Sequence, residues 1–298
     1  MKPKLNLASD NIAGYAFISP FLLSFFLFTI IPILSSLYFS FTNYDMLATP
    51  RWIGLENYDR MFNEDMRFWQ AVKVTLYFVF VSVPIRLAFA LLVAIILNHI
   101  TKLVGLYRSV FYLPSILGGS VAIAILWRQV FGNEGVINSI LNFFHIEGVS
   151  WLGNPSTAIW ALISLSAWQF GSSMLIFLAG LKNIPSTYYE AASVDGSGIF
   201  STFFKITLPL LSPVIFFNLV MQLINGFMTF TPSYIITQGG PLDSTLLYVL
   251  YIYRRAFEFF DMGYASAMAW VLLLVVAIIT AIIFKTSKYW VHYESKGD

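Results

Sequence analysis

Asn218, Gln222 and Asn225 recur at i, i+4 and i+7 of one apolar run, so on a helix their three amides leave the same face. A side-chain amide offers both donors and an acceptor, which suits a ligand rich in hydroxyl groups; the same stripe would also serve hydrogen bonds between helices. Trp168 and Gln169 repeat the theme in another apolar run, with an indole face able to stack on a pyranose ring. The Gly171, Ser172 and Ser173 that follow suit close helix packing. Arg86 lies mid-way along a further apolar run, and no acidic residue interrupts any such run. Its counterpart must be a carbonyl, a residue of a second subunit or an anionic ligand, and a structural role meets the same need. His99, His145 and His292 are far apart and lack metal-ligand spacing, and with no cysteine there is neither a thiolate site nor a disulfide. No metal, cofactor or catalytic residue is expected.

A different chemistry is written between residues 182 and 207. Pro185 precedes the run Tyr188-Tyr189-Glu190-Ala191-Ala192, and Asp195-Gly196 follows it. Proline suits a helix start, the Glu-Ala-Ala segment favours a helix, and glycine ends it because it accepts positive φ without a side-chain clash. Ala191 and Ala192 leave little bulk, so the helix can sit in a groove on another protein while Glu190 pairs with a basic residue there.

The elements that must position these residues are dictated by composition. Of 298 residues, 58% are hydrophobic and 11% charged, with a mean hydropathy of +0.75, too apolar for one water-soluble core. The lipid bilayer is the first partner. A net charge of +2 without a basic, aromatic-interleaved stretch excludes nucleic acid. Six stretches are long and apolar enough to span: 13–41, 71–97, 109–131, 158–181, 208–230 and 264–284. All should be helical, because lipid leaves no partner for open backbone groups. Pro20, Pro32 and Pro84 are expected to kink the first two. The first stretch follows Lys2 and Lys4 but lacks a small-residue cleavage pattern, so it reads as a retained anchor.

Six crossings place both termini on one side. With the termini inside, nine Lys and Arg residues are internal and seven external, and of the external ones only Lys73 is a lysine. Residues 132–157, external in that topology, carry no Lys or Arg. Both termini are therefore assigned to the cytoplasm, which makes 182–207 an internal connection.

The run from Glu190 through Gly196, with Phe203, Ile206, Pro209 and Pro213 at matching spacing, resembles the Glu-Ala-Ala loop of binding-protein-dependent ATP-binding-cassette importers. Ser197 stands where that loop usually has alanine. The likeness extends to Gly54-Leu55-Glu56-Asn57-Tyr58, Phe111-Tyr112-Leu113-Pro114, Gly135-Val136-Ile137-Asn138, Gly239-Gly240-Pro241 and the run from Tyr251 to Phe257. Met262-Gly263-Tyr264-Ala265-Ser266-Ala267 completes it. Together these segments resemble the maltose and glycerol-3-phosphate type of sugar permease.

The resemblance implies an all-α integral membrane fold of about six helices with a cytoplasmic coupling helix between spans four and five. It divides the chain into an N-terminal helix and external loop (1–70), a five-span transport domain (71–284) and a cytoplasmic tail (285–298). It implies a multi-pass permease of the bacterial cytoplasmic membrane that imports a sugar or oligosaccharide. The implied partners are a cytoplasmic ATPase dimer, a second permease and an extracytoplasmic solute-binding protein. Glu190, Ala191, Ala192, Asp195 and Gly196 would form the ATPase coupling element, and Asn218, Gln222, Asn225, Trp168 and Gln169 candidate substrate contacts. The chain lacks a Gly-x-x-x-x-Gly-Lys-Ser/Thr loop, so ATP would be hydrolysed elsewhere. The alternative is an ion-coupled secondary transporter, which would call for buried acidic residues or matched broken helices in repeated halves.

Overall fold

The structure, a computed structural model, describes residues 7–100 and 103–292, with side chains from residue 14 onward. The first apolar stretch forms α1 (Leu7–Phe25) and α2 (Ile31–Ser40), joined by a π-helical turn at Phe26–Ile30. Pro32 follows directly on that π-helical turn, inside the continuous helical run Gly14–Ser40. The short strands β1 (Thr42–Asn43) and β2 (Arg51–Trp52) pair antiparallel with Thr42 opposite Trp52, and α3 (Glu56–Asp59) follows. The 34-residue α4 (Met66–His99) runs through Pro84.

Two of the expected spans are not single helices. The third is α5 (Val104–Leu117) and α6 (Val121–Val130), bent by 96°, and the fourth is α8 (Pro155–Trp168) and α9 (Gly171–Asn183), bent by 41°. Between the pairs lies α7 (Val136–Phe143). Then come α10 (Ser186–Val194), α11 (Ile199–Thr202), a π-helical turn at Phe203–Thr207 and α12 (Leu208–Phe227). The last helices are α13 (Tyr248–Tyr253) and α14 (Met262–Ser287). Among the described residues, four helical runs are long and apolar enough to cross a membrane, and six if each bent pair is one span.

The chain forms two compact units, residues 1–64 with 252–272 and residues 65–251 with 273–298. Within the first unit, Arg60 pairs with Asp261 at 2.9 Å and lies over the Tyr264 ring at 4.6 Å. Gly263 donates its N–H to the Tyr44 carbonyl at 3.0 Å, and a Cβ there would collide with the Thr42 carbonyl oxygen. The run Gly14–Ser40 buries none of its most apolar window, so that surface is left for lipid or another chain.

Within the second unit, α4 packs against α8, α9 and α12. Ala90, Ala94 and Leu97 meet Met174, Phe177, Leu178, Leu181 and Leu211 in a buried cluster, the two alanines presenting no bulk where α9 approaches. At the start of α4, Asp65 accepts hydrogen bonds from the backbone N–H groups of Arg67 and Phe68, capping the helix, and its other oxygen accepts one from the Tyr251 hydroxyl at 2.6 Å. Arg67 grips Asp243 through both carboxylate oxygens, at 2.8 and 2.7 Å. After α14 the chain turns back onto α12: Trp290 packs on Phe216, and the His292 N–H donates to Ser212 Oγ at 2.8 Å.

Candidate functional site: an exposed helical loop and a polar cavity

The 182–207 connection folds as its residue types require. Pro185 stands at the N-cap position of α10 with φ −59° and ψ 137°, the extended geometry that launches a helix. At the other end Asp195 is the C-cap and Gly196 has φ +69°. The Gly196 N–H donates to the Ser193 carbonyl at 3.1 Å and the Ser197 N–H to the Ala192 carbonyl at 2.9 Å. Those two bonds make a Schellman closure, which requires the left-handed residue that glycine supplies. Ala192 is buried, whereas Glu190, Ala191, Asp195 and Gly196 are exposed. The two alanines therefore do not form one docking face as expected: Ala192 seats the helix and Ala191 stays outside. Tyr189 Oη lies 3.2 Å from Thr207 Oγ1, linking α10 to the base of the α12 run. Beside the exposed carboxylates stand Val194, Ile199 and Phe200, 88%, 87% and 81% exposed, an apolar surface flanking acidic groups.

A cavity of about 270 Å³ opens inside the second unit. Its walls include Arg86 from α4, Gly118 and Gly119 from the break between α5 and α6, Ser166 from α8, Gln169, Gln222 and Asn225 from the end of α12, and Thr229 just beyond it. Gln222 is buried, and its Oε1 has no hydrogen-bond partner among the described residues; Arg86 Nε is in the same condition. Such groups hold an unmet hydrogen-bonding demand at the cavity wall, although both atoms are themselves shielded from solvent. Gln169 has a second task. Its Nε2 donates to the Gly118 carbonyl at 2.7 Å, its own carbonyl accepts from Ser115 Oγ at 2.8 Å, and Ser115 Oγ accepts the Ser172 N–H at 2.9 Å. A Cβ at residue 118 would run into the Gln169 side chain.

Residues 65–287 match the family described as "Binding-protein-dependent transport system inner membrane component". The chain belongs to this family. Along its full length it is 62% identical over 301 residues to the "Probable ABC transporter permease protein YesP" of Bacillus subtilis (strain 168), 97% of which is covered. It is 34% identical over 284 residues to the "Arabinooligosaccharides transport system permease protein AraP" of the same organism, with 94% of this chain and 90% of that protein aligned. Among solved structures it superimposes with a TM-score of 0.82 on a chain of "a bacterial ABC transporter involved in the import of the acidic polysaccharide alginate". That match, at 23% identity, covers 94% of this chain and 96% of the other and establishes the fold. As a member of this family the chain is a membrane transport permease component and not an enzyme, and the ion-coupled reading is set aside.

Not all of the residues singled out in this permease meet at one place. Gln169, Gln222 and Asn225 converge on the cavity; Asn218 and Trp168 do not line it. Asn218 is fully buried and gives its Nδ2 to the Val214 carbonyl of its own helix at 3.3 Å. Trp168 rests on Trp127, with ring centroids 5.4 Å apart, and Trp127 is pinned by its Nε1 to the Ala161 carbonyl at 3.0 Å. Arg86, Ser166 and Thr229 join the amides. Arg86 had a signal in the sequence, a cation far inside an apolar run, but one sequence position does not tell which helices surround it.

Proposed function

We propose that this chain is a permease subunit of an ATP-driven importer that carries a sugar or oligosaccharide across the bacterial cytoplasmic membrane. Relatives at 34% identity and nearly full coverage are the AraP protein, whose name specifies arabinooligosaccharides, and the "Lactose transport system permease protein LacF" of Rhizobium radiobacter. The observation that carries the reading to this chain is the cavity walled by Gln169, Gln222, Asn225 and Thr229, side chains whose amides and hydroxyl suit a sugar's hydroxyl groups.

The solute arrives from an extracytoplasmic binding protein and passes between this chain and a second, related permease. Both termini face the cytoplasm, where a pair of ATPase subunits docks on α10. In this reading residues 1–70 are an N-terminal span and external loop, 71–284 the transport domain and 285–298 a cytoplasmic segment. Glu190 and Asp195 meet basic groups of the ATPase, Val194 and Phe200 bury apolar surface against it, and the Gly196 closure holds the helix rigid enough to transmit its movement.

The test exploits the absence of native cysteines. Val194→Cys, in a complex with its ATPase, should give one crosslink to an ATPase carrying cysteines around its docking groove, and the yield should change with ATP. A Cys at Leu47, in the external loop, should give none. Crosslinking at Leu47 with none at Val194 would reverse the topology and remove the coupling role.

A further inference from the structure

We propose that Arg86 is the counter-charge for an anionic group on the imported solute, so that the permease selects acidic saccharides bearing a single negative charge such as a uronic-acid carboxylate. This rests on the saccharide-importer reading above and names the substrate class within it.

The proposal stands on how Arg86 is placed. It projects from the middle of α4, which packs against α8, α9 and α12, and lines the cavity with Gln169, Gln222 and Asn225. The ion pairs among the described residues are Arg60–Asp261, Arg67–Asp243 and Arg254–Glu258, and Arg86 belongs to none of them. Its Nε is shielded from solvent and has no hydrogen-bond partner. Among the described residues no Asp, Glu, Lys or His stands in the cavity wall, so Arg86 is the one charge this chain brings to it.

A lone cation at membrane depth is expensive and is retained where it has work to do. Water filling an empty cavity solvates it, but a solute that enters displaces that water. A neutral solute would then leave the guanidinium uncompensated; a carboxylate would meet its planar donor fork with two parallel hydrogen bonds. The charge count separates the anions. A carboxylate and one arginine sum to zero, whereas a doubly charged phosphate would leave an excess negative charge with no second cation from this chain's wall to meet it. The amides and Thr229 around Arg86 remain free to read the hydroxyls of the same ring.

The experiment uses the complete importer with its binding protein, second permease and ATPase, reconstituted in vesicles. These are offered an equimolar mixture of uronic-acid-containing disaccharides, their neutral counterparts and a sugar phosphate, and the imported species are read by mass spectrometry. Wild type should accumulate the uronic-acid species. Arg86→Gln should lower acidic relative to neutral uptake by roughly tenfold or more, the usual scale for losing a hydrogen bond to a charged group, and Arg86→Lys should retain part of the preference. Should Arg86→Gln fail to assemble, the acidic-to-neutral ratio of Arg86→Lys against wild type decides. Wild-type uptake confined to neutral sugars or to the sugar phosphate overturns the charge assignment and leaves the importer reading intact. Equal loss of acidic and neutral uptake in both variants overturns it too, making Arg86 a structural cation paired with the second permease. Uptake of no saccharide at all would instead sink the importer reading itself.

Discussion

Substitutions at Gly196 separate the shape of the loop from its mere presence. The residue has φ +69°, and a Cβ built on it meets nothing within 4 Å, so the cost of a side chain there is conformational and not steric. Holding alanine in the left-handed region costs about 1–2 kcal/mol. Asparagine, which visits that region more readily, should cost less. Proline cannot reach it at all: its ring fixes φ near −65°, it removes the N–H that bonds to Ser193, and it disfavours the helical conformation of Asp195, which has φ −73° and ψ 0°. Losing the bonds to Ser193 and Ala192 removes about 1 kcal/mol each from a helix of nine residues, a length that is marginal without help from its surroundings. A change of 1–2 kcal/mol alters a two-state population by a factor of about 5–30. Uptake by the reconstituted complex should therefore rank wild type, then Gly196→Asn, then Gly196→Ala, with Gly196→Pro inactive. Because the loop lies outside the buried cluster of α4 and α9, the melting temperature of all four should stay within a few degrees. Wild-type transport by Gly196→Pro would refute the reasoning. So would an alanine variant as inactive as proline in a complex that still binds its ATPase normally.

Three further substitutions probe the second unit. Gly171→Ala should destabilise by about 1–3 kcal/mol, because its Cβ would collide with the Phe111 carbonyl oxygen and come within 2.7 Å of Tyr112 Cα; unchanged thermal unfolding in detergent would show that α5 and α9 can separate freely. Asp65→Ala removes the cap of α4 together with the acceptor of the Tyr251 hydroxyl bond, and should cost about 2–3 kcal/mol; Tyr251→Phe, which deletes that one bond and leaves the cap, should cost about 1 kcal/mol. Equal melting temperatures for those two variants would mean that the cap contributes nothing.

The helical loop could be read from residue types because its geometry is local: Pro185, Glu190-Ala191-Ala192 and Asp195-Gly196 each act within a few positions of themselves, and the Schellman closure uses nothing farther away than Ala192. The long helices were equally open, since hydropathy over twenty residues is insensitive to single positions. For the same reason that average concealed the break in the third stretch, where Gly118 and Gly119 precede Ser120, whose Oγ caps α6 by accepting the Ile123 N–H. The amide stripe reads azimuth and not depth. Asn218 and Asn225 share a helix face but stand about 10 Å apart along the axis, and only the far end reaches the cavity. That Arg86 meets Gln169 and Gln222 depends on how α4, α8 and α12 pack, which no single segment of the sequence encodes.

Gln169 ends α8, and its amide holds the carbonyl at the break after α5, while Ser115 reaches back from α5 to Gln169 and to the start of α9. The two bends are therefore one joint with a shared pin. Neither pair of helices can straighten without withdrawing that pin, and the pin is also part of the cavity wall. A solute that claimed the Gln169 amide would compete with the Gly118 carbonyl for its N–H, while the Ser115 bonds to the Gln169 carbonyl and the Ser172 N–H would keep the second bend tied to α5.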